Sequence, residues 1–249
     1  MNMNENDNED LRVALVSGGS RGIGAAVTIG LTQRGCRVGC TYRTGRDEAE
    51  KLTADAPEQV LPIHFDLHDD TTAASAVERV VSHWGRLDSL ILNAGQWSGG
   101  RLTATEPDAW WSVIETNLRG TVALARAALP HLANGTSPSI VLVSSVVGVI
   151  GHPGDTAYAS AKSAMVGFGR SLAKEVARDG IRVNILAPGF VATDMTDAVP
   201  ASARRRIEQD TVLGRFGTVD EIAKAAVFLS EDATFCTGSV LTVDGGWAL

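Results

Sequence analysis

Seven short apolar runs recur along this chain, and stretches with helical spacing separate them. The runs are LRVALVS at 11–17, CRVGCTY at 36–42, QVLPIHFD at 59–66, LDSLILNAG at 87–95, SIVLVSSVVG at 139–148, IRVNILAPG at 181–189 and GSVLTVDGG at 238–246. Near-continuous apolar strands are what a sheet buried on both faces requires. Helices are expected over 24–35, 46–56, 71–85, 106–133, 156–178 and 219–230, whereas 190–218 has no clear period. Strands alternating with such helices imply right-handed crossovers and a parallel sheet covered on both faces. The expected class is α/β, a single doubly wound parallel sheet of about seven strands. No linker, repeat or composition break interrupts 11–249, so that span reads as one domain. The polar, acidic MNMNENDNED at 1–10 reads as a flexible tail.

The composition removes several function classes. A length of 249 residues suits one large α/β domain. With 44% apolar and 20% charged residues, a packed core is expected rather than disorder. The net charge of −7, from 22 basic and 29 acidic residues, argues against nucleic acid or an anionic membrane as partner. No apolar run approaches the ~18 residues of a membrane span, and the first ten residues lack the basic start and apolar stretch of a signal peptide. Cys36, Cys40 and Cys236 form an odd, sparse set without metal spacing, as in a cytoplasmic protein with reduced thiols. The five histidines (64, 68, 83, 131 and 152) are scattered, and no metal site is expected.

Ligands of doubly wound sheets bind beyond the carboxyl ends of the strands. The residues that follow strands are therefore the informative ones. After the first strand stands SGGSRGIG, with glycines at 18, 22 and 24. Residues without side chains permit a tight turn and close backbone approach to a pyrophosphate, and the following helix offers free N–H groups and its positive end. A glycine-rich turn with no ligand is the alternative. The end of the second strand, Cys40-Thr41-Tyr42-Arg43-Thr44, has no carboxylate to bind ribose hydroxyls. Arg43 there and Arg21 in the turn suit a 2′-phosphate, which guanidinium binds bidentately. NADP(H) is favoured over NAD(H). Asp66, after the third strand, is placed either to accept from an adenine amino group or to take part in capping the next helix, with Asp69 and Asp70 nearby.

The chemical constellation is Tyr158-Ala-Ser-Ala-Lys162, whose spacing puts both side chains on one helix face. A phenol ordinarily titrates near ~10. A neighbouring ammonium is expected to lower that value toward the range useful for proton transfer. A surface Tyr–Lys pair is the bland alternative, but context weighs against it. Ser144 and Ser145 end the fifth strand, where a hydroxyl can polarise a substrate carbonyl. Asn93-Ala94-Gly95 ends the fourth. Asn117 is a polar residue among Ile114, Leu118 and Val122 of a long helix. It reads as a kink amide, or as that bond plus a water.

Together, SGGSRGIG, NAG at 93–95, Asn117, Ser145, the YxxxK of 158–162 and PG at 188–189 resemble the short-chain dehydrogenase/reductase family over residues 11–249. SSVVGVIG, PGFVATDM and the closing VDGG are most similar to its 3-oxoacyl-(acyl-carrier-protein) reductase branch. The resemblance implies a Rossmann-type fold and a catalytic four of Asn117, Ser145, Tyr158 and Lys162. Tyr158 would give a proton to a ketone oxygen that Ser145 holds. Lys162 would bind the nicotinamide ribose and depress the Tyr158 pKa, and Asn117 would position a water linking Lys162 to solvent. It further implies that NADP(H) meets Gly18, Ser20, Arg21, Gly22, Ile23 and Gly24 at the turn. Arg43, Asp66, Leu67, Asn93, Ala94 and Gly95 would follow along the next strand ends. Tyr158, Lys162, Pro188, Gly189, Val191 and Thr193 would complete the set. Residues 190–215 would be the substrate loop, and the two long helices with the last strand would build a homotetramer.

Some positions depart from the family pattern. Ser17 stands where threonine is usual, with its hydroxyl kept, and Leu92 where asparagine is usual. Acyl carrier protein is an implied partner, yet 133–139 has no Lys or Arg to dock an acidic carrier, and Arg178 is followed by Asp179. Arg204-Arg205-Arg206 can substitute, or can be a solvated helix face. The first functional expectation is an NADPH-dependent reductase of a 3-oxoacyl thioester. The alternative is a reductase or dehydrogenase of a free ketone, sugar or secondary metabolite, with Trp97, Trp110 and Trp111 lining an aromatic substrate's path. A third is a non-catalytic NADP-binding protein, which would lose Tyr158, Ser145 or Lys162.

Overall fold

The computed structural model describes residues 11–197 and 199–249; the expected tail at 1–10 lies outside them. Seven parallel strands form one sheet: β1 Val13–Val16, β2 Arg37–Tyr42, β3 Val60–His64, β4 Ser89–Leu92, β5 Ser139–Val143, β6 Arg182–Pro188 and β7 Val240–Val243. Their order is β3-β2-β1-β4-β5-β6-β7, so the winding reverses between β1 and β4. That reversal opens the crevice in which doubly wound folds bind ligands.

Alternation along β1 shows why both faces are covered. Val13 and Leu15 join the core under α3 (Asp70–Trp84), α4 (Pro107–Leu132) and α6 (Thr156–Glu175). Ala14 and Val16 point the other way, into the core beneath α1 (Gly22–Thr32) and α9 (Val219–Val227). Helix α2 (Arg46–Asp55) covers the outer strands through Ala49.

The amino ends of the strands are tied by buried polar side chains. Asp88 accepts from Arg86 Nε and Nη2 at 2.9 and 2.8 Å, from Val13 N at 2.8 Å and from Thr136 N at 2.6 Å. Arg182 donates to the carbonyls of Leu229, Ser230 and Ala233, at the end of the π-helical turn Phe228–Asp232 that continues α9.

Three boundaries differ from expectation. β5 stops at Val143 rather than running to 148, because Val147–Ile150 coils into a helical turn, α5. The apolar VVGVI that reads as strand packs on α6 instead: a side chain on Gly148 would come within 2.7 Å of Lys162. α6 ends at Glu175, followed by a 3-10 turn at Ala177–Asp179. Residues 190–218 contain two helices, α7 (Asp194–Asp197) and α8 (Ala201–Asp210). α8 buries none of its residues, which is why ASARRRIEQD carries no apolar period. This segment leaves and rejoins the body at one place. Val191 bridges Gly217, with Ala192 N donating to Gly217 O at 3.0 Å and Gly217 N to Phe190 O at 2.9 Å.

Candidate active site

A cavity of about 610 Å³ lies at the carboxyl ends of the strands. It runs from the glycine turn and the end of β2 to Ser145, Tyr158 and Lys162. At the turn, Gly18 N donates to Thr41 Oγ1 at 2.9 Å, and Asn93 Nδ2 donates to the carbonyls of Ser17 and Gly18 at 3.1 and 3.2 Å. Ser17 Oγ accepts from the N–H groups of Asn93 and Ala94 at 2.9 and 3.0 Å, so the hydroxyl alone serves where threonine is usual. Leu92, where asparagine is usual, is core.

Gly18, Ser20, Arg21, Gly22, Ile23, Arg43, Leu67, Asn93, Ala94, Gly95, Pro188, Gly189, Val191 and Thr193 line the cavity. Thr193 comes from far along the chain to lie over Gly22. Gly24, Asp66 and Asn117 stand behind the wall. Gly24 lacks a side chain because the first turn of α1 presses on the glycine turn: a Cβ there would sit 2.0 Å from Gly18 O. Asp66 turns its carboxylate to His68 N at 3.0 Å, and Asp69 caps α3 through Thr71 N. Asn117 is fully buried. Its amide nitrogen donates to Gln96 O and Val113 O, both at 2.8 Å, and its oxygen accepts from Gln96 N at 3.1 Å. It thus locks the loop after β4 to α4. Gly95 must be small there, since a Cβ would stand 2.7 Å from Asn117 Oδ1 and 3.3 Å from Lys162 Nζ.

The phosphate-binding end fits a dinucleotide with a 2′-phosphate. Arg21 starts α1 without a side-chain cap, and no acidic residue occupies the first turn. Arg21 and Arg43 both face the cavity, and neither guanidinium has a partner among the described residues. A ligand phosphate there meets helix N–H groups and two free cations.

At the chemical end, the two serines divide. Ser144 Oγ donates to Lys162 O at 2.8 Å and fastens α6 to the sheet, whereas Ser145 Oγ accepts from Val147 N at 3.2 Å and lines the cavity together with Tyr158. Lys162 Nζ lies 5.6 Å from the Tyr158 ring centre and donates to Val143 O at 3.0 Å. Burial brings the Lys162 pKa down to about 8. The Tyr158 phenol moves opposite to expectation: burial pushes it up, the Asp155 charge adds to that, and only the Ser145 hydroxyl lowers it. Desolvation of the phenolate outweighs the hydroxyl contribution that favours it.

Sequence reasoning missed Asp155, three residues before Tyr158. The residue is buried, and its carboxylate accepts from Trp97 Nε1 at 2.8 Å, with His152 Nδ1 at 2.9 Å. Of the three tryptophans proposed for a substrate path, only Trp97 lines the cavity. Trp110 donates to Thr156 Oγ1 at 3.0 Å, and Trp111 is 63% exposed.

Residues 18–248 match a family model described as enoyl-(acyl carrier protein) reductase. The chain is 37% identical over 238 residues to the 3-oxoacyl-(acyl-carrier-protein) reductase of Thermotoga maritima, covering 94% of this chain and 97% of that protein. It is 37% identical over 236 residues to the enzyme of the same name from Haemophilus influenzae, covering 94% and 97%. With that of Escherichia coli it shares 36% over 236 residues, covering 94% and 96%.

Proposed function

The chain belongs to the short-chain dehydrogenase/reductase family, as an NADP(H)-dependent oxidoreductase of C=O and CH–OH groups, and we propose that it reduces the 3-oxo group of an acyl thioester. The observation that carries the substrate chemistry is the paired Ser145 and Tyr158 hydroxyls at the end of the cavity, where a ketone oxygen accepts two hydrogen bonds. Tyr158 then delivers its proton to the forming alkoxide. Its raised pKa favours this direction, because an acid must be protonated before it can donate. Lys162, largely charged at neutral pH, meets the ribose hydroxyls. Asn117 acts at one remove, holding the Gln96 backbone and hence the Gly95 wall. Bound NADPH supplies the hydride.

Residues 190–215 are read as the substrate segment. We place the protein in the cytoplasm, on the support of free Cys36, Cys40 and Cys236 among the described residues. No helix among the described residues is long and apolar enough to cross a membrane. The open edge of β7 and exposed Phe235 and Leu249 support self-association, most simply as a homotetramer. Size-exclusion chromatography with light scattering would overturn that by showing a monomer.

The reading is tested by NADPH oxidation with acetoacetyl-CoA, beside NADH and an Arg43→Ala variant. Turnover is expected with NADPH, with a KM for NADPH raised about tenfold in the variant and little change with NADH. No turnover with intact NADPH binding would sink the thioester substrate. A second reading, a free cyclic or aromatic ketone, has its own support in Trp97, 43% exposed on the cavity wall. Arg204 and Arg206 of α8 pair within the helix with Glu208 and Asp210, so the run is only partly available to an acidic carrier protein.

A further inference from the structure

Four segments at the substrate end of the cavity are joined by a chain of side chains that the catalytic roles above do not use. Trp97, on the loop after β4, donates its indole N–H to Asp155 Oδ1. Asp155 Oδ2 meets His152 Nδ1, and the His152 ring packs on Phe190 and Trp247 at 6.3 and 5.6 Å between centroids. Gly100 N donates to Gly154 O at 2.7 Å and ties the same two loops again. At the centre is a buried carboxylate whose two oxygens each have one partner. It stands just before α6, one helical turn from Tyr158.

A carboxylate is a costly choice for such a brace. An amide would accept from Trp97 as well, without burying a charge beside the phenol that loses a proton in catalysis. We propose that Asp155 is a positioning residue for the reaction: its negative charge adds to burial in keeping Tyr158 in the donating form, and its two hydrogen bonds tie Trp97 of the cavity wall to His152 behind it. The proposal rests on Tyr158 being the proton donor. Negative charge close to a phenol opposes phenolate, and the effect is strong where water is excluded. The direction of the Tyr158 shift agrees with this.

The other ionisable groups around Tyr158 are few. Lys162 shares its helix, and His152 faces Asp155 from the preceding loop. β5 brings the neutral Val143, Ser144 and Ser145, and the β4 loop brings neutral Asn93 to Trp97. The segment after β6 brings Asp194, and Arg21, Tyr42 and Arg43 stand at the other end of the cavity. Of these, only Asp155 combines negative charge, burial and a place within one turn of the phenol.

The chain has two tyrosines, so the phenol can be watched directly, whatever the substrate. In a Tyr42→Phe background, the ultraviolet difference absorbance near 295 nm (a standard phenolate band) reports Tyr158 alone. A Tyr42→Phe/Tyr158→Phe protein supplies the blank. Asp155→Asn is expected to move the Tyr158 titration down by about one pH unit. In the direction of alcohol oxidation, which needs phenolate, the alkaline rise in kcat should move down with it, while KM rises as Trp97 loosens. If both tyrosine titrations lie beyond alkaline unfolding, the oxidative kcat profile decides. Asp155→Ser, which keeps an oxygen acceptor without the charge, should behave like Asp155→Asn and serves if the latter does not fold. Titration and kcat profiles superimposable on the parent would overturn the proposal, leaving Asp155 a neutral brace. A shifted titration with no turnover on any ketone would instead uphold the electrostatics and sink the ketoreductase reading.

Discussion

The two ends of the same sheet bury polar groups to opposite effect. At the amino end, Asp88 is enclosed with four donors and Arg182 with three carbonyls. At the carboxyl end, Tyr158 on the cavity wall and the buried Lys162 have fewer partners, and both have moved toward their neutral forms. Four donors around Asp88 hold its charge in place and make it structural, while Arg182 keeps one buried nitrogen, Nε, without a hydrogen bond among the described residues. At the other end, sparse solvation leaves Lys162 able to exchange a proton near neutral pH, with the Tyr158 phenol held protonated. The same backbone geometry therefore serves as a fastening at one end and as a reaction site at the other.

Four measurements would break or sharpen that contrast. Tyr158→Phe keeps the ring and removes the proton, so turnover should fall about 10³-fold, within the range of general acid catalysis, while thermal melting stays close to the parent. A large loss of stability would mean that the carboxyl end is a fastening too. Asp88→Ala should act the other way round. It removes the carboxylate that Arg86 pairs with and strands two backbone N–H groups, costing about 3 kcal/mol and lowering Tm by roughly 6–12 °C. Turnover per folded molecule should hold, and calorimetry with active-site titration checks both.

A pH series of the reductive reaction comes next. Lys162 loses its proton as pH rises through about 8, whereas Tyr158 stays protonated. The rate should therefore be flat below that value and fall several-fold by one unit above it. A flat profile to pH 10 would mean that the Lys162 charge is not used. Smallest is Arg119→Ala. Arg119 pairs with Asp70 at 3.1 Å and Glu115 at 2.9 Å on the exposed face of α4. Melting should not move measurably, since exposed pairs contribute little.

Much of this was legible in residue order. The fully buried β1, β4, β5 and β6 stood out because a strand buried on both faces is largely apolar, with Asn184 the one polar residue inside β6. The glycine turn and the Tyr158–Lys162 spacing are local, so the sequence displays them. Two kinds of feature were hidden. α8 has no apolar stripe to betray it, and α5 is apolar enough to pass for an extension of β5. Asp155 acquires its environment from Trp97, 58 positions away, and a lone acidic residue before a helix looks like an ordinary cap. Likewise, no local rule states that Tyr158 is desolvated, which reverses the expected direction of its pKa.

The bridge between Val191 and Gly217 has an evolutionary consequence. Because the segment between them starts and finishes at one hydrogen-bonded pair, its length is decoupled from the sheet register. Doubling a closed loop adds only about 0.6 kcal/mol of closure entropy. Arg215 and the Thr218 backbone pin Glu221 at the start of α9, so the returning chain is anchored independently of what precedes it. Insertions, deletions and exchange within α8, which buries none of its residues, are therefore cheap for folding. They act where the substrate is met, so descendants of this scaffold can change what they reduce while inheriting the proton donor unaltered.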